Sequence, residues 1–146
     1  MLGNKKIRIA NGQGFWGDSS QAPIDLVNCG NIDYLTMDYL AEVTLSIMQK
    51  QKNKNSKAGY ALDFISFLEE SLSKIKKNKI KIVTNAGGVN PLECKRRILD
   101  IADKLGVEIK VATISGDDIF AKMDGLIAKG VNFKNLDSGR NIKEVI

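Results

Sequence analysis

A chain of 146 residues with 43 % hydrophobic content has the material for one domain around a single core, residues 1–146, and not for two ordinary ones. It contains no histidine, which excludes Ser-His and Cys-His nucleophile pairs and the commonest zinc ligand, so acid–base chemistry falls to Asp, Glu, Lys, Tyr or Cys. The net charge of +5 gathers in KQKNKNSK at 50–57 and KIKKNKIK at 74–81; neither run holds an aromatic, and both end helical patterns, so they read as solvated helix ends and not as a nucleic-acid surface.

No apolar stretch approaches the roughly 20 residues that span a bilayer, and MLGNKKIRIANG lacks the apolar centre of a signal peptide, so a cytoplasmic chain without a membrane partner is expected. Cys29 and Cys94 lack Cys-x-x-Cys spacing and are expected as buried small apolar residues.

In chain order, residues 5–10 alternate Ile7 and Ile9 and read as a strand ending at Asn11. Gly12-Gln13-Gly14-Phe15-Trp16-Gly17 then spells G-x-G-x-x-G. A dinucleotide cradle needs a helix opening from that loop, whereas Asp18-Ser19-Ser20 and then Pro23 follow, and an interior proline costs about 3 kcal/mol. The helix is therefore expected late, capped by Ser19 or Ser20 and running to about residue 27, and the glycine stretch reads as a lid-like loop carrying Trp16 across the sheet edge.

A second strand is expected at 33–36, followed by a helix capped by Asp38 with Leu40, Val43, Ile47 and Met48 on one face, broken by KNKNSKAG. Residues 60–75 carry Tyr60, Phe64, Phe67, Leu68, Leu72 and Ile75 at helical spacing, making a helical hairpin with the one before. The third strand, 79–84, ends in NAGGVNPLEC, where Asn90 as N-cap, Pro91 at N1 and Glu93 at N3 start a helix that stops at Gly106. A fourth strand, 108–114, ends in SGDD, with Asp117 capping a helix through Ile119, Phe120, Met123 and Ile127 to Gly130. The tail FKNLDSGRNIKEVI has no helical face and reads as a further strand or an abrupt end.

Strands alternating with helices argue for an α/β fold: a three-layer, mostly parallel, Rossmann-like sheet of four to five strands with helices on both faces. In such a sheet the strand C-termini share one edge, where ligands bind. Asn11, Gly12, Gly14, Trp16 and Asp18 follow strand one; Asp38 follows strand two; Asn85, Gly87, Gly88 and Asn90 follow strand three; Gly116, Asp117 and Asp118 follow strand four. Backbone amides near Gly12, Gly14, Gly87 and Gly88 suit an anionic group, Asn11, Asn85 and Asn90 would orient it, Gly116 is a further substrate-binding candidate, and Trp16 would form a lid or wall. The acid–base candidates are Asp18, Asp38, Asp117 and Asp118. Cap chemistry alone also accounts for Asp38, Asn90 and Asp117, and turn chemistry for Gly12 and Gly87. The spacing of the aspartates does not require Mg²⁺, so no metal and no cofactor is assigned.

IRIANGQGFWGD, LTMDYLAEVTLSIM, AGYALDF, KIVTNAGGVNP, SGDD and NLDSG, in this order and spacing, resemble the amino-terminal part of the acyclic terpene utilisation family. The resemblance implies a metabolic enzyme or enzyme subunit acting on a small anionic organic substrate, such as a branched acyl-CoA or a carboxylic acid. Family chains are several times longer, which implies a split or truncated member completed by a complementary carboxyl-terminal chain or a homo-oligomer. The alternative is a non-catalytic subunit or interaction module that folds against a partner chain.

Overall fold

A computed structural model describes residues 6–144 and divides the chain into two compact units, Met1–Ile114 and Ser115–Ile146. The first unit holds β1 (Ile9–Gln13), α1 (Gln21–Cys29), β2 (Tyr34–Met37), α2 (Glu42–Lys54), α3 (Leu62–Lys77), β3 (Lys81–Thr84) and α4 (Pro91–Lys104). The three strands form one parallel sheet in the order β1-β2-β3. The class is α/β and parallel, but the sheet has three strands where four to five were expected.

Side-chain alternation decides the sheet's two faces. Gly12, Leu35, Met37, Ile82 and Thr84 are turned inward, buried or half-buried, while Ile9, Asn11, Lys81 and Val83 are exposed on the other side. The inward face meets the helices: α1 packs on β1 and α3, and α3 packs on α4. The outward face is open, with Ile9 67 % and Val83 59 % exposed, so the expected helices on both faces are not seen. Ile7 and Ile9 mark this open face, and the ladder begins only at Ile9, where β2 can reach it; Lys5, the expected first strand residue, lies outside the described residues.

The core is built on Leu35 of the central strand, which is 0 % exposed, with Val27, Met37, Tyr39, Met48 and Ile101 around it. From α3 it takes Phe64, Phe67, Leu68, Leu72 and Ile75, the face read from the spacing; Tyr60 is buried too, but in the turn before the helix. Helix α4 begins at Pro91 and ends before Gly106, whose φ of 64° only a glycine adopts without strain.

Helix α2 departs from expectation. It starts at Glu42, not at Asp38, and its N-terminus is closed by Thr44, whose Oγ1 accepts from the Ala41 amide at 2.6 Å. That start turns Val43 (68 % exposed) and Ile47 (41 % exposed) outward and leaves Met48 as its buried residue. Asn90 holds the expected N-cap position of α4, its carbonyl accepting from Cys94 N at 3.1 Å, but its side chain makes no cap bond; its amide donates instead to the carbonyls of Ser56 (2.9 Å) and Ala58 (2.8 Å), binding the α4 start to the turn after α2. Cys94 is buried as expected, whereas Cys29, at the last turn of α1, is exposed.

Residues 107–114 keep period-two burial, Val107, Ile109, Val111 and Thr113 being half-buried and their neighbours exposed, yet join no ladder. Alternation reports which side chains face inward; a strand needs backbone pairing as well. What holds this segment at its start is the Val107 amide on the Ala102 carbonyl (2.8 Å) and Lys76 Nζ on the Glu108 carbonyl (2.6 Å).

The second unit carries a 3₁₀ turn at Phe120–Lys122, α5 (Met123–Ala128) and a 3₁₀ turn at Ile142–Glu144. Asp118, not Asp117, starts its first turn, its Oδ1 accepting from the Phe120 amide at 3.0 Å. The NLDSG stretch closes around Asn135, whose Oδ1 accepts from Asp137 N, Ser138 N and Ser138 Oγ, so the tail is a turn with one antiparallel bridge, Lys134 to Asn141. The apolar end read at 145–146 lies outside the described residues. No helix among the described residues is long and apolar enough to cross a membrane.

Candidate functional site

Strand β1 carries a register shift between Asn11 and Gln13, which turns both Gly12 and Gln13 inward. A Cβ on Gly12 would stand 2.8 Å from Pro23 Cβ and 3.2 Å from Leu35 Cδ1, so this glycine lets α1 lie against the sheet. Gln13 is 3 % exposed; its carbonyl accepts from Asp38 N (3.0 Å) and its Nε2 reaches the Asp18 carbonyl (3.4 Å), while Oε1 is buried without a partner among the described residues.

Beyond Gln13 the loop turns on Asp18. Asp18 Oδ2 accepts from Gly14 N (3.0 Å) and Oδ1 from Ser19 N (2.7 Å), and the Ser19 hydroxyl accepts from Ala22 N (3.3 Å) as α1 begins at Gln21. The helix therefore opens four residues beyond Gly17, and the Gly14 amide that a dinucleotide phosphate would need is already bonded to the loop's own carboxylate. Trp16 is half-buried and packs against the core. The Gly14 amide, then the Ser19 amide, hold the Asp18 carboxyl below the usual carboxylate range.

At the end of β2, Asp38 Oδ1 accepts from Asn85 Nδ2 (2.7 Å) and from Leu40 N (3.1 Å), which together hold this carboxyl low as well, the Asn85 bond contributing most. Asp38 is exposed, and its Oδ2 accepts no bond among the described residues. Asn85 faces both ways: its Oδ1 accepts from the amide of Tyr39 at 2.8 Å. The C-terminal ends of β1, β2 and β3 are thus joined in one line, Gln13 to Asp38 to Asn85. Asn11, itself exposed, stands beside it on the open face, its Oδ1 accepting from Thr36 Oγ1 at 3.1 Å.

The loop after β3 is spent on the protein itself. Gly88 N bonds Asn85 O, Val89 N bonds Gly59 O and Asn90 N bonds Gly87 O, each at 3.0 Å, and Lys52 Nζ reaches the Val89 carbonyl at 2.8 Å. A Cβ on Gly88 would collide with Met48 Sδ and stand 2.7 Å from Gly59 O, and one on Gly87 would stand 3.0 Å from Pro91 Cα. These glycines admit neighbouring protein atoms.

Of the expected site residues, the structure brings Gly14, Asp18, Asp38 and Asn85 together around Gln13, with Gly12 and Trp16 beneath as packing and Asn11 alongside. Asn90, Gly87 and Gly88 close the loop behind it, and Gly116, Asp117 and Asp118 belong to the second unit. Gln13 was missed, because it occupies an x of G-x-G and owes its burial to the register shift. Among the described residues no three of Cys, Asp and Glu converge as a metal cluster.

The lowered carboxyls act as ionised acceptors at neutral pH, so neither Asp18 nor Asp38 has a proton to donate as a general acid there. For Asp18 the folded value lies below the unfolded one of about 3.9, so its stabilising effect is present above that value and is lost as pH falls through the folded value. An NMR titration is expected to move the Gly14 and Ser19 amide protons with a common midpoint below 3.9, and Asp18→Asn to abolish that step. Amides that keep titrating in the variant would show that another group holds the loop.

The family model described as acyclic terpene utilisation family protein AtuA matches residues 7–146. No curated protein and no solved structure matches the chain. The match takes in every described strand and helix of both units, and on it the chain belongs to the acyclic terpene utilisation family, AtuA.

Proposed function

We propose that the rim at the ends of β1, β2 and β3 is the substrate site of a cytoplasmic metabolic enzyme or enzyme subunit acting on a small anionic organic molecule, such as a branched acyl-CoA or a carboxylic acid. The observation that carries this reading is the Gln13–Asp38–Asn85 line, which presents Asp38 Oδ2 to solvent with its geometry fixed from two strands. A fixed carboxylate is a strong acceptor for a neutral donor such as a substrate hydroxyl. The anionic end of the substrate is then turned away from Asp18 and Asp38, toward amide donors such as Asn11 Nδ2.

Thermal shift against acyl-CoAs and short carboxylates tests this, because a ligand that prefers the folded state raises Tm. A saturable rise is expected, and Asp38→Asn is expected to weaken it by roughly 10- to 100-fold in affinity, the worth of a hydrogen bond to a charged group. No rise with any of these compounds, or an unchanged response in the variant, would overturn the assignment.

A second reading, a non-catalytic subunit that folds against a partner chain, is favoured by the open sheet face, where Ile7 (58 %), Ile9 (67 %) and Val83 (59 %) are exposed together. A chain that associates but shows no ligand response would decide for it.

A further inference from the structure

Behind the rim lies a group of buried polar atoms that the substrate site does not use. Tyr39, two residues beyond β2, is 1 % exposed, and its phenol Oη has no hydrogen-bond partner among the described residues; Asp63, in the first turn of α3, has a buried Oδ1 that is likewise unpaired there. The Tyr39 ring meets Phe64, the residue after Asp63, edge to face, with centroids 6.0 Å apart. Cys94, in the first turn of α4, is 3 % exposed and joins them: burial first, then the charges of Asp63 and Cys94, push the Tyr39 phenol well above its ordinary value. Burial also pushes the Cys94 thiol up to about 11, so it stays a protonated, weak donor at neutral pH.

A buried hydroxyl or carboxylate oxygen left without a partner loses about 1–3 kcal/mol or more, and folded proteins rarely leave one so. Tyr39 Oη and Asp63 Oδ1 make no bond to each other or to any other group among the described residues. Whatever completes them must accept from a phenol and donate to a carboxylate. An anion is repelled by Asp63, and an apolar guest satisfies neither atom. Water, with two donors and two acceptor sites, meets both demands and is the usual occupant of sealed polar sites.

We infer that an ordered water molecule is built in between Tyr39 Oη and Asp63 Oδ1, beside Cys94, and ties the end of β2 to the first turns of α3 and α4. The bridge lies one residue from Asp38, and the Tyr39 amide is itself held by Asn85. Tyr39 is therefore fixed at both ends, by Asn85 at its amide and by the bridge at its phenol.

A crystal structure of the full chain at high resolution is expected to show solvent density within about 2.5–3.0 Å of both atoms. Tyr39→Phe should abolish or displace that density and lower the urea midpoint, while Asp63→Asn, which keeps the oxygen, should retain it. The two substitutions combined should be less than additive, since they share one bridge. Density that is absent, a direct phenol–carboxylate bond, or strict additivity would overturn the inference. All three readings are independent of whether the rim binds a substrate, so a failed ligand screen leaves this test standing.

Discussion

Replacing Gly88 by alanine is expected to destabilise the protein by about 3 kcal/mol, combining a left-handed backbone penalty of about 1–2 kcal/mol with overpacking of about 1–3 kcal/mol. The backbone part follows from its φ of 52°. The packing part follows from what the new Cβ meets: Met48 Sδ, Gly59 O at 2.7 Å and Tyr60 Cα at 3.4 Å. Met48 is 0 % exposed and has little room to yield, and Gly59 O is backbone already bonded to Val89 N at 3.0 Å. Gly106 supplies the control, since its φ of 64° is similar but nothing lies within 4 Å of its Cβ position. Gly106→Ala should therefore show the backbone part alone. Urea unfolding of the two variants, with unchanged slopes, separates the contributions; equal midpoints would mean that the Gly88 contact with α2 is relaxed at no cost.

This close approach also marks where the sequence stops being readable. The buried face of α3 and the limits of α4 were legible because Phe64, Phe67, Leu68, Leu72 and Ile75, or Pro91 and Gly106, act through neighbours within a turn or two. Gly87 and Gly88 were read as an opening for an anion because two glycines before a helix look alike whether a ligand or Met48 fills the space; the contact partner is 40 residues away in sequence. Helix α2 failed for a local reason of a different kind: Asp38 has the chemistry of a cap, but its carboxylate is taken by Asn85 and the Leu40 amide, and the helix starts four residues on, at Glu42, closed by Thr44.

The glycine loop shows both limits at once. Its late helix start was legible from Asp18, Ser19, Ser20 and Pro23, since proline and cap chemistry are local. That Asp18 itself supplies the anion for the Gly14 amide was not, because the same carboxylate is equally an acid–base candidate until its two amide bonds are seen. Similarly, parallel topology was enough to place Asp38 and Asn85 at one edge, whereas Gln13 came to the edge through an irregularity of β1 that no residue in it announces.

Asn85→Ala should produce the largest change at the rim, because one side chain serves two clients: its Oδ1 holds the Tyr39 amide and its Nδ2 holds Asp38. Loss of the acceptor leaves a part-buried backbone donor unpaired, worth about 1–3 kcal/mol. Loss of the donor lets the Asp38 carboxyl rise toward its ordinary value, since the Asn85 bond is the chief cause of its lowering. The sign follows from linkage: a carboxyl lowered on folding stabilises above its unfolded value near 3.9, and that contribution disappears as pH falls through the folded value. The stability gap between wild type and Asn85→Ala should accordingly be widest at neutral pH and narrow on acidification, with the Tyr39 part persisting at every pH. Asn85→Asp separates the clients, because a carboxylate still accepts from the Tyr39 amide but repels Asp38, so one of the two acids should titrate above the ordinary range. Carboxyl titration by NMR together with urea midpoints on both sides of pH 4 reads the two effects. If the Asp38 midpoint stays low in both variants, the backbone amides of Leu40 and Tyr39 fix that carboxylate, and the link between β2 and β3 is not what shapes the rim.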